Sequence, residues 1–335
     1  MNVAIVGATG YGGIQAVNLL KKNKNYKISF LGGNKTSGTK WNDNFPFIYL
    51  DNDPYIEEIS VDNIAAKANV ALLCLPNGIS STLTRGLLDK GVKVIDLSAD
   101  YRYKSLDQWK KVYSKEAEKY NRDDNDLCKE AVYGLPEINN KDISNARLIA
   151  CPGCYPTSAL IPLTPFLSQG IIDREGLVID SKSGTSGGGR EPNQKLLYSE
   201  CGDGISAYGL INHRHTSEIE QIAGFISGND IELIFTPHLI PMTRGMHSTI
   251  YGRLRDPGLT SSDCRIILEN YYRNYSNIKV LPVDIYPSTK WVRNTNEIHI
   301  SVKVDNRNGR IIILSVIDNL IKGQTGQAIQ NPNLI

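Results

Sequence analysis

A short apolar strand, Asn2–Val6, runs directly into Gly7-Ala8-Thr9-Gly10-Tyr11-Gly12-Gly13 and then into a helical stretch through Asn23. Glycines 7, 10 and 13 each answer a different steric need there. The first permits a tight turn, the second lets backbone approach a pyrophosphate, and the third lets helix and strand pack closely. The helix start then offers unpaired N–H groups and the positive end of its dipole to phosphate. Glycine spacing alone is weak evidence. Its place after a strand and before a helix is the context that makes it a dinucleotide motif. A glycine-rich turn in an unrelated α/β protein is the competing reading.

The pattern that follows agrees with that start. Lys27–Gly32, Val70–Pro76, Val92–Ser98 and Arg147–Cys151 read as short apolar strands separated by helices. Such an order predicts a doubly wound parallel sheet with helices on both faces, a Rossmann-type α/β domain. The second part reads differently. Leu177–Ser183, Ile231–Leu239, His247–Arg255, Ile278–Asp284, Glu297–Asp305 and Arg310–Ile317 are strand candidates, and Asp305–Gly309 is a hairpin turn between two of them. This predicts an α+β domain with a mixed, mostly antiparallel sheet. A chain of 335 residues accommodates two domains at roughly 100–200 residues each. The expected division is 1–151 and 152–317, with 318–330 a helix broken by glycine. The charged stretch from Lys104 to Lys129 reads as a solvated helix and loop without chemistry.

Hydrophobic residues make up 41% and charged residues 21%, and the formal net charge is only +2. Bulk charge therefore argues for neither nucleic acid nor a membrane surface, and any anion needs a local site. No apolar run reaches the roughly 18 residues of a membrane span. Met1 leads straight into a strand with no basic stretch ahead of an apolar core, so no secretory signal is expected and the cytoplasm is the expected location. The six cysteines then read as reduced thiols rather than a disulfide framework.

The end of the second strand discriminates between nicotinamide cofactors. NAD sites usually place Asp or Glu there for the ribose hydroxyls. This chain has Gly33-Asn34-Lys35-Thr36-Ser37. No acid repels a 2′-phosphate, and Lys35, Thr36 and Ser37 are able to contact one, so NADP (NADPH) is the expected cofactor. The alternative is that Lys35 is a surface lysine.

Cys151-Pro-Gly-Cys154-Tyr-Pro-Thr157 follows a strand at the expected domain boundary. Pro156 and the apolar run Ala159–Leu163 fit a helix start at Cys154. A cysteine there feels the positive dipole end, which depresses its pKa and enriches the thiolate. Three other readings compete with a nucleophile. Cys154 is a buried apolar residue, or it forms a redox pair with Cys151, or the pair is half of a zinc site. The last is disfavoured because no second Cys or His pair stands at ligand spacing, and no metal is expected.

Of five histidines, His213 and His215 fall at what reads as a helix start in Asn212–Gln221. His213 is the expected acid/base partner of the thiol, with His215 the runner-up; a surface or capping histidine is the plainer alternative for either. Ser181–Arg190 is a glycine-rich turn after a strand, with hydroxyls and cations suited to an anion. Arg102 ends the fourth strand of the first domain, where open parallel sheets face their ligand, and is offered to a phosphate. Arg244 is offered to a carboxylate. Singly, each arginine reads as a surface residue.

Together, Gly7–Gly13, Leu97–Tyr103, Val132–Glu137, Pro152–Thr157, Asp180–Arg190, His213–Gln221, Thr236–Met246 and Asp318–Ala328 resemble the blocks of the N-acetyl-γ-glutamyl-phosphate reductase family, in that family's order and across nearly the whole chain. The resemblance implies the two-domain plan shared with aspartate-semialdehyde and glyceraldehyde-phosphate dehydrogenases. It implies a small-molecule acyl phosphate substrate and NADPH-dependent reductive dephosphorylation to the semialdehyde through a cysteine thioester, in arginine biosynthesis. It also implies a homo-dimer or homo-tetramer, with neither nucleic acid nor membrane as partner. By the resemblance, the nucleophile falls on Cys154 and the acid/base on His213. Cofactor contacts are expected from Gly7, Thr9, Gly10, Tyr11, Gly12, Gly13, Asn34, Lys35, Thr36, Pro76, Ser183 and Gly184. The final helix, 318–335, is expected to return to the nucleotide domain and bring Asn319 and Gly323 to that pocket. Substrate contacts are expected from Arg102, Ser181, His215 and Arg244. Two departures stand out: family members often have Asn at Cys151, which raises the prospect of an inactivating disulfide, and Ser-Arg-Ser is commoner than Asn34-Lys35-Thr36. Lysine is a point charge where arginine is a fork, which loosens the expected NADP preference. The rival readings are an aspartate-semialdehyde dehydrogenase, a non-catalytic NADP-binding regulator and a stand-alone redox protein.

Overall fold

The computed structural model describes residues 1–331. The end of the expected C-terminal helix, 332–335, lies outside the described residues. The chain forms two units, one of Met1–Pro152 with the segment from Gln324 onward, the other Gly153–Gly323. Residues 318–323, grouped with the nucleotide domain on sequence, thus belong to the second unit. Asp318 accepts from Arg244, and Asn319 accepts from Gly245 and donates to Ser186, which ties them to its loops.

The first unit is built on β1 (Asn2–Val6), β2 (Lys27–Gly32), β3 (Val70–Leu73), β4 (Lys93–Asp96), β5 (Val132–Tyr133) and β6 (Leu148–Ala150). They lie in the order β2-β1-β3-β4-β6-β5, parallel throughout. Side chains alternate between two apolar cores. Val3, Ile5, Val70, Leu72 and Ile95 enter one, and Ala4, Val6, Ala71, Leu73 and Val94 enter the other. Burial on both faces is why these strands read as unbroken apolar runs. Helix α1 (Tyr11–Leu20) follows β1, and α2 (Ser80–Asp89) follows β3. The two-residue β5 is too short for any periodicity to reveal it.

The stretch from Lys104 to Lys129 corrects its sequence reading. Trp109 and Tyr113 are buried, and so are Arg122 and Asp124. Arg122 donates to Asp124 from Nε at 3.0 Å and Nη2 at 3.1 Å. Its guanidinium lies over Trp109 and Tyr101 at 4.3 and 5.0 Å from the ring centroids. Planar stacking and a bidentate partner let an arginine be buried, which a charge count does not show.

The second unit contains β7 (Leu177–Ser183), β8 (Ser206–Ala207), β9 (Leu233–Leu239), β10 (Met246–Arg253), β11 (Ile278–Val280), β12 (Ile298–Asp305) and β13 (Arg310–Ile317). Their order is β11-β12-β13-β10-β7-β9-β8, with β7–β9 and β11–β12 parallel and the other pairs antiparallel. The β12–β13 turn closes at Gly309, whose φ of +67° suits glycine at a hairpin. Helices α3 (Cys154–Ser168), α4 (Arg214–Ser227) and α5 (Ser261–Tyr272) pack on this sheet.

Helix α3 is buried from Tyr155 to Leu167 despite Pro162 and Pro165 inside it. Each proline removes the N–H that would bond the carbonyl four residues back. Both orphaned carbonyls are satisfied by hydroxyls from neighbouring elements. Ser315 Oγ donates to Ser158 O at 2.6 Å, and Tyr272 donates to Ile161 O. A helix that is apolar all round suits a buried position, and these two bonds fix its place against β13 and α5. Its first residue, Cys154, is thereby set on a rigid element. Among the described residues, no helix is long and apolar enough to cross a membrane.

Candidate active site

In the first unit Gly7 and Gly13 meet the steric demands expected of them. Gly7 has φ +81°, and a Cβ there would stand 2.4 Å from Cys74 O. A Cβ on Gly13 would fall 2.3 Å from Gly7 O and 2.5 Å from Ala8 Cα, so only glycine permits this helix–strand approach. Gly10 is the contrast: a Cβ would meet nothing closer than Gly7 O at 3.6 Å. That side of the loop is open for a ligand to fill. Gly10 also caps α1 with no side-chain hydrogen bond, which leaves helix-start donors to an anion. Thr9 and Tyr11 flank Gly10, with Tyr11 exposed. Gly12 is buried under the Gln324 side chain, and Thr325 Oγ1 donates to its carbonyl at 3.0 Å. Asn34 and Lys35 are exposed at the end of β2, and the buried Thr36 Oγ1 meets no protein partner. Pro76 is exposed just beyond β3. These residues fit a nicotinamide dinucleotide.

Arg102 takes a different place from the one expected. It is 8% exposed, with Nε donating to Cys151 O at 2.7 Å and Nη2 to Leu97 O at 3.1 Å. These two donors hold backbone carbonyls at the strand ends. Cys151 is likewise internal, at 1% exposure, with Asn331 Nδ2 3.9 Å from its sulfur. Burial, then the Asp96 carboxylate, push its thiol well above the ordinary range. A redox pair needs an attackable, ionisable sulfur, so the structure argues against that reading. Brief iodoacetamide treatment of the native protein is expected to modify Cys154 and leave Cys151 unlabelled. Peptide mass spectrometry checks this, and labelling of Cys151 at a comparable rate contradicts it.

In the second unit Cys154 is partly exposed and is the first residue of α3, with Gly153 as cap. The positive end of a fully formed helix favours the anionic sulfur. Two glycines give it room. A Cβ on Gly323 would lie 2.8 Å from Cys154 Cβ, and one on Gly153 would lie 2.5 Å from His215 Nε2. The His215 imidazole therefore rests on the residue next to the nucleophile. Glu218, fully buried one helical turn further along α4, accepts the Gly153 N–H at 2.9 Å. His215 and Glu218 stand three residues apart, which places both on one helix face. That spacing was visible in the sequence; the anchoring role of Glu218 was not.

His213 stands one residue before that helix. It is the N-cap of α4, and its Nδ1 accepts the His215 N–H at 3.1 Å. Its ring is boxed edge-on by Tyr155, Tyr208 and Phe235 at centroid distances of 5.6, 5.4 and 5.3 Å. Burial, then the adjacent Arg214 charge, lower its pKa to about 4. Tyr155 and Tyr208, which sequence reasoning missed, share a hydroxyl hydrogen bond of 3.0 Å. No pattern in the sequence marked them.

The other expected residues of this unit divide. Ser181 is fully buried and bonds Ser248 Oγ at 2.7 Å, which in turn bonds Ser158 Oγ at 2.7 Å. This hydroxyl chain ties β7 and β10 to α3 and takes Ser181 away from any substrate. Ser183 and Gly184 are buried where β7 leaves the sheet; a Cβ on Gly184 would stand 2.8 Å from Met242 O. Asn319 is also buried, with Oδ1 accepting from Gly245 N at 2.8 Å and Nδ2 donating to Ser186 Oγ at 3.0 Å. Its amide is used in joining loops. Arg244 keeps part of its side chain in solvent and donates to Asp318 Oδ1 at 3.0 Å. Among the described residues, no group of three His, Cys, Asp or Glu side chains is arranged to hold a metal ion.

Comparison with known proteins follows the same division. Residues 2–146 match the family model of the semialdehyde dehydrogenase NAD binding domain, and 154–319 match that of the semialdehyde dehydrogenase dimerisation domain. Aspartate semialdehyde dehydrogenase II of Vibrio cholerae superposes with a TM-score of 0.74 at 18% identity, covering 99% of this chain and 97% of that one. An N-acetyl-gamma-glutamyl-phosphate reductase of Prochlorococcus marinus subsp. pastoris is 88% identical over 335 residues, 100% of this chain and 95% of the relative. Another, from a second strain of Prochlorococcus marinus, is 58% identical over 333 residues, 99% of this chain and 93% of the relative. The chain thus belongs to the N-acetyl-γ-glutamyl-phosphate reductase family of semialdehyde dehydrogenases.

Proposed function

We propose that the protein catalyses NADPH-dependent reductive dephosphorylation of N-acetyl-γ-glutamyl phosphate to N-acetylglutamate 5-semialdehyde, a step of arginine biosynthesis. The observation that carries the reading is a partly exposed thiol at the first position of a buried helix, with an imidazole packed on the adjacent glycine. Cys154 Sγ, as thiolate, attacks the acyl carbon. The carbon–oxygen bond to phosphate breaks, phosphate leaves with the electron pair, and a thioester to Cys154 remains. A reduced nicotinamide held by the Gly7–Gly13 loop would supply a hydride to this carbonyl, leaving a thiohemiacetal on Cys154. Collapse of the thiohemiacetal breaks the carbon–sulfur bond, releases the aldehyde and returns the thiolate. The backbone N–H groups at the start of α3 are suited to the oxyanion at both tetrahedral stages. His215 trades the proton with that oxygen, and Glu218 fixes the Gly153 backbone beside it. The sequence ranked His213 first for this role. Its cap position, aromatic box and low proton affinity favour His215 instead.

NADP rather than NAD is supported by the absence of an acid after β2 and by the unpartnered Thr36 hydroxyl beside exposed Lys35. A thiolate mechanism suits a reducing compartment, which fits the cytoplasm. Self-association is supported by the second sheet. Ile234, Val178, Tyr251 and Ile312 sit side by side in register across four strands, with Ile234 and Tyr251 exposed. An apolar row on an open sheet face is suited to packing against a second copy. The test of function runs the reaction in reverse. Semialdehyde and NADP should give NADPH only when inorganic phosphate is present. Phosphate-independent turnover, or preference for aspartate semialdehyde in a parallel assay, overturns the assignment.

A further inference from the structure

We propose that Asp318 is a positioning residue that holds Arg244 for the substrate's carboxylate; this rests on the reaction assigned above. Asp318 is fully buried, and both of its oxygens are engaged. Oδ1 accepts from Arg244 Nη2 at 3.0 Å, Leu320 N at 2.9 Å and Ile321 N at 3.1 Å, while Oδ2 accepts from Asn294 N at 2.9 Å. An amide would place an N–H₂ against one of these donor sets, so the position demands a carboxylate. Arg244 is the only side-chain cation among those partners.

The backbone around Arg244 is equally fixed. Gly245 N is held by Asn319, Gly245 O accepts from Gly184 N at 2.9 Å, and Thr185 N and Ser186 N donate to Met242 O and Thr243 O. The guanidinium has five donor hydrogens. One is spent on Asp318, and Nε meets no protein acceptor. An arginine anchored this firmly with donors to spare is prepared for a planar, bidentate anion. The anchor is also continuous with the nucleophile. Asp318 O accepts from Gly323 N at 3.0 Å, and Gly323 packs on Cys154. Arginine and thiol are therefore both held by the segment from Asp318 to Gly323, whose end enters a π-helical turn at Ile321, a local irregularity common at functional sites. The substrate carries a carboxylate remote from its reacting acyl group, and a separate anchored arginine fits that carboxylate better than the departing phosphate.

The reverse reaction separates the two anions, because the semialdehyde carries the carboxylate and phosphate is added alone. Asp318→Asn is expected to raise KM for the semialdehyde about tenfold or more, the worth of one charge-assisted hydrogen bond. KM for phosphate should stay within about twofold, as should the rate of Cys154 alkylation by iodoacetamide. In an Arg244→Met background, Asp318→Asn should add no further rise, since it acts through Arg244. If Asp318→Asn does not fold, Arg244→Met decides, because its side chain still reaches solvent. An unchanged semialdehyde KM in Arg244→Met overturns the proposal. So does a selective rise in phosphate KM, or an Asp318→Asn effect confined to kcat and alkylation. Absence of semialdehyde turnover by the unmodified protein instead overturns the assigned reaction.

Discussion

Cys154→Ala is expected to lower turnover by at least about four orders of magnitude, because the covalent route disappears with its nucleophile. The loss should be chemical rather than structural. Gly323 packs on the Cβ of Cys154, and alanine keeps that atom. Tyr155 and the rest of α3 are held by the sheet and by the hydroxyls that satisfy the proline-orphaned carbonyls. The glycine loop lies in the other unit, so NADPH binding followed by fluorescence titration should be unchanged. Cys154→Ser is the finer test. It preserves shape and replaces a thiol by a hydroxyl of far higher pKa, so a loss of about a thousandfold or more is expected even though a nucleophilic atom remains. Acyl reduction by the alanine variant within about a hundredfold of the unmodified rate would overturn the thioester mechanism.

Much of this arrangement was legible in the sequence, for reasons that can be named. The nucleotide loop was legible because two of its glycines are dictated by short-range sterics: a positive φ at Gly7 and a backbone contact that excludes any Cβ at Gly13. The first sheet was legible because strands buried on both faces leave unbroken apolar runs. Cys154 was legible because a helix start is itself a local signal. Tertiary choices were not. Arg102, Ser181 and Asn319 have the chemistry of ligand contacts, and only the fold shows that backbone carbonyls, a serine chain and loop amides already occupy them. Burial of Arg122 over Trp109 was hidden for the same reason, since a charged stretch reads as solvated until its partners are known. Two histidines one residue apart are equivalent as sequence. The turn of α4 makes one a cap and lays the other on Gly153, the residue before Cys154.

That distinction leads to the second large effect. His215→Asn is expected to reduce kcat/KM by about a hundred- to ten-thousandfold, the usual worth of a positioned acid/base. His213→Asn should cost no more than about tenfold. Asparagine is among the best N-cap residues, so it can take over acceptance of the His215 N–H and preserve the helix start. His213 is also poorly suited to proton exchange. With a pKa of about 4, it is neutral at physiological pH, and Nδ1 is committed as an acceptor. Charging it would oppose both burial and the neighbouring Arg214. The pH profile supplies an independent check. If His215 carries the proton, the His213→Asn enzyme keeps the limbs of the unmodified kcat/KM profile, whereas His215→Asn loses the limb that reports the imidazole. The reverse outcome, with near-normal rates and profile in His215→Asn and collapse in His213→Asn, would return the role to His213 and mean that the cap rotates into the site when substrate binds.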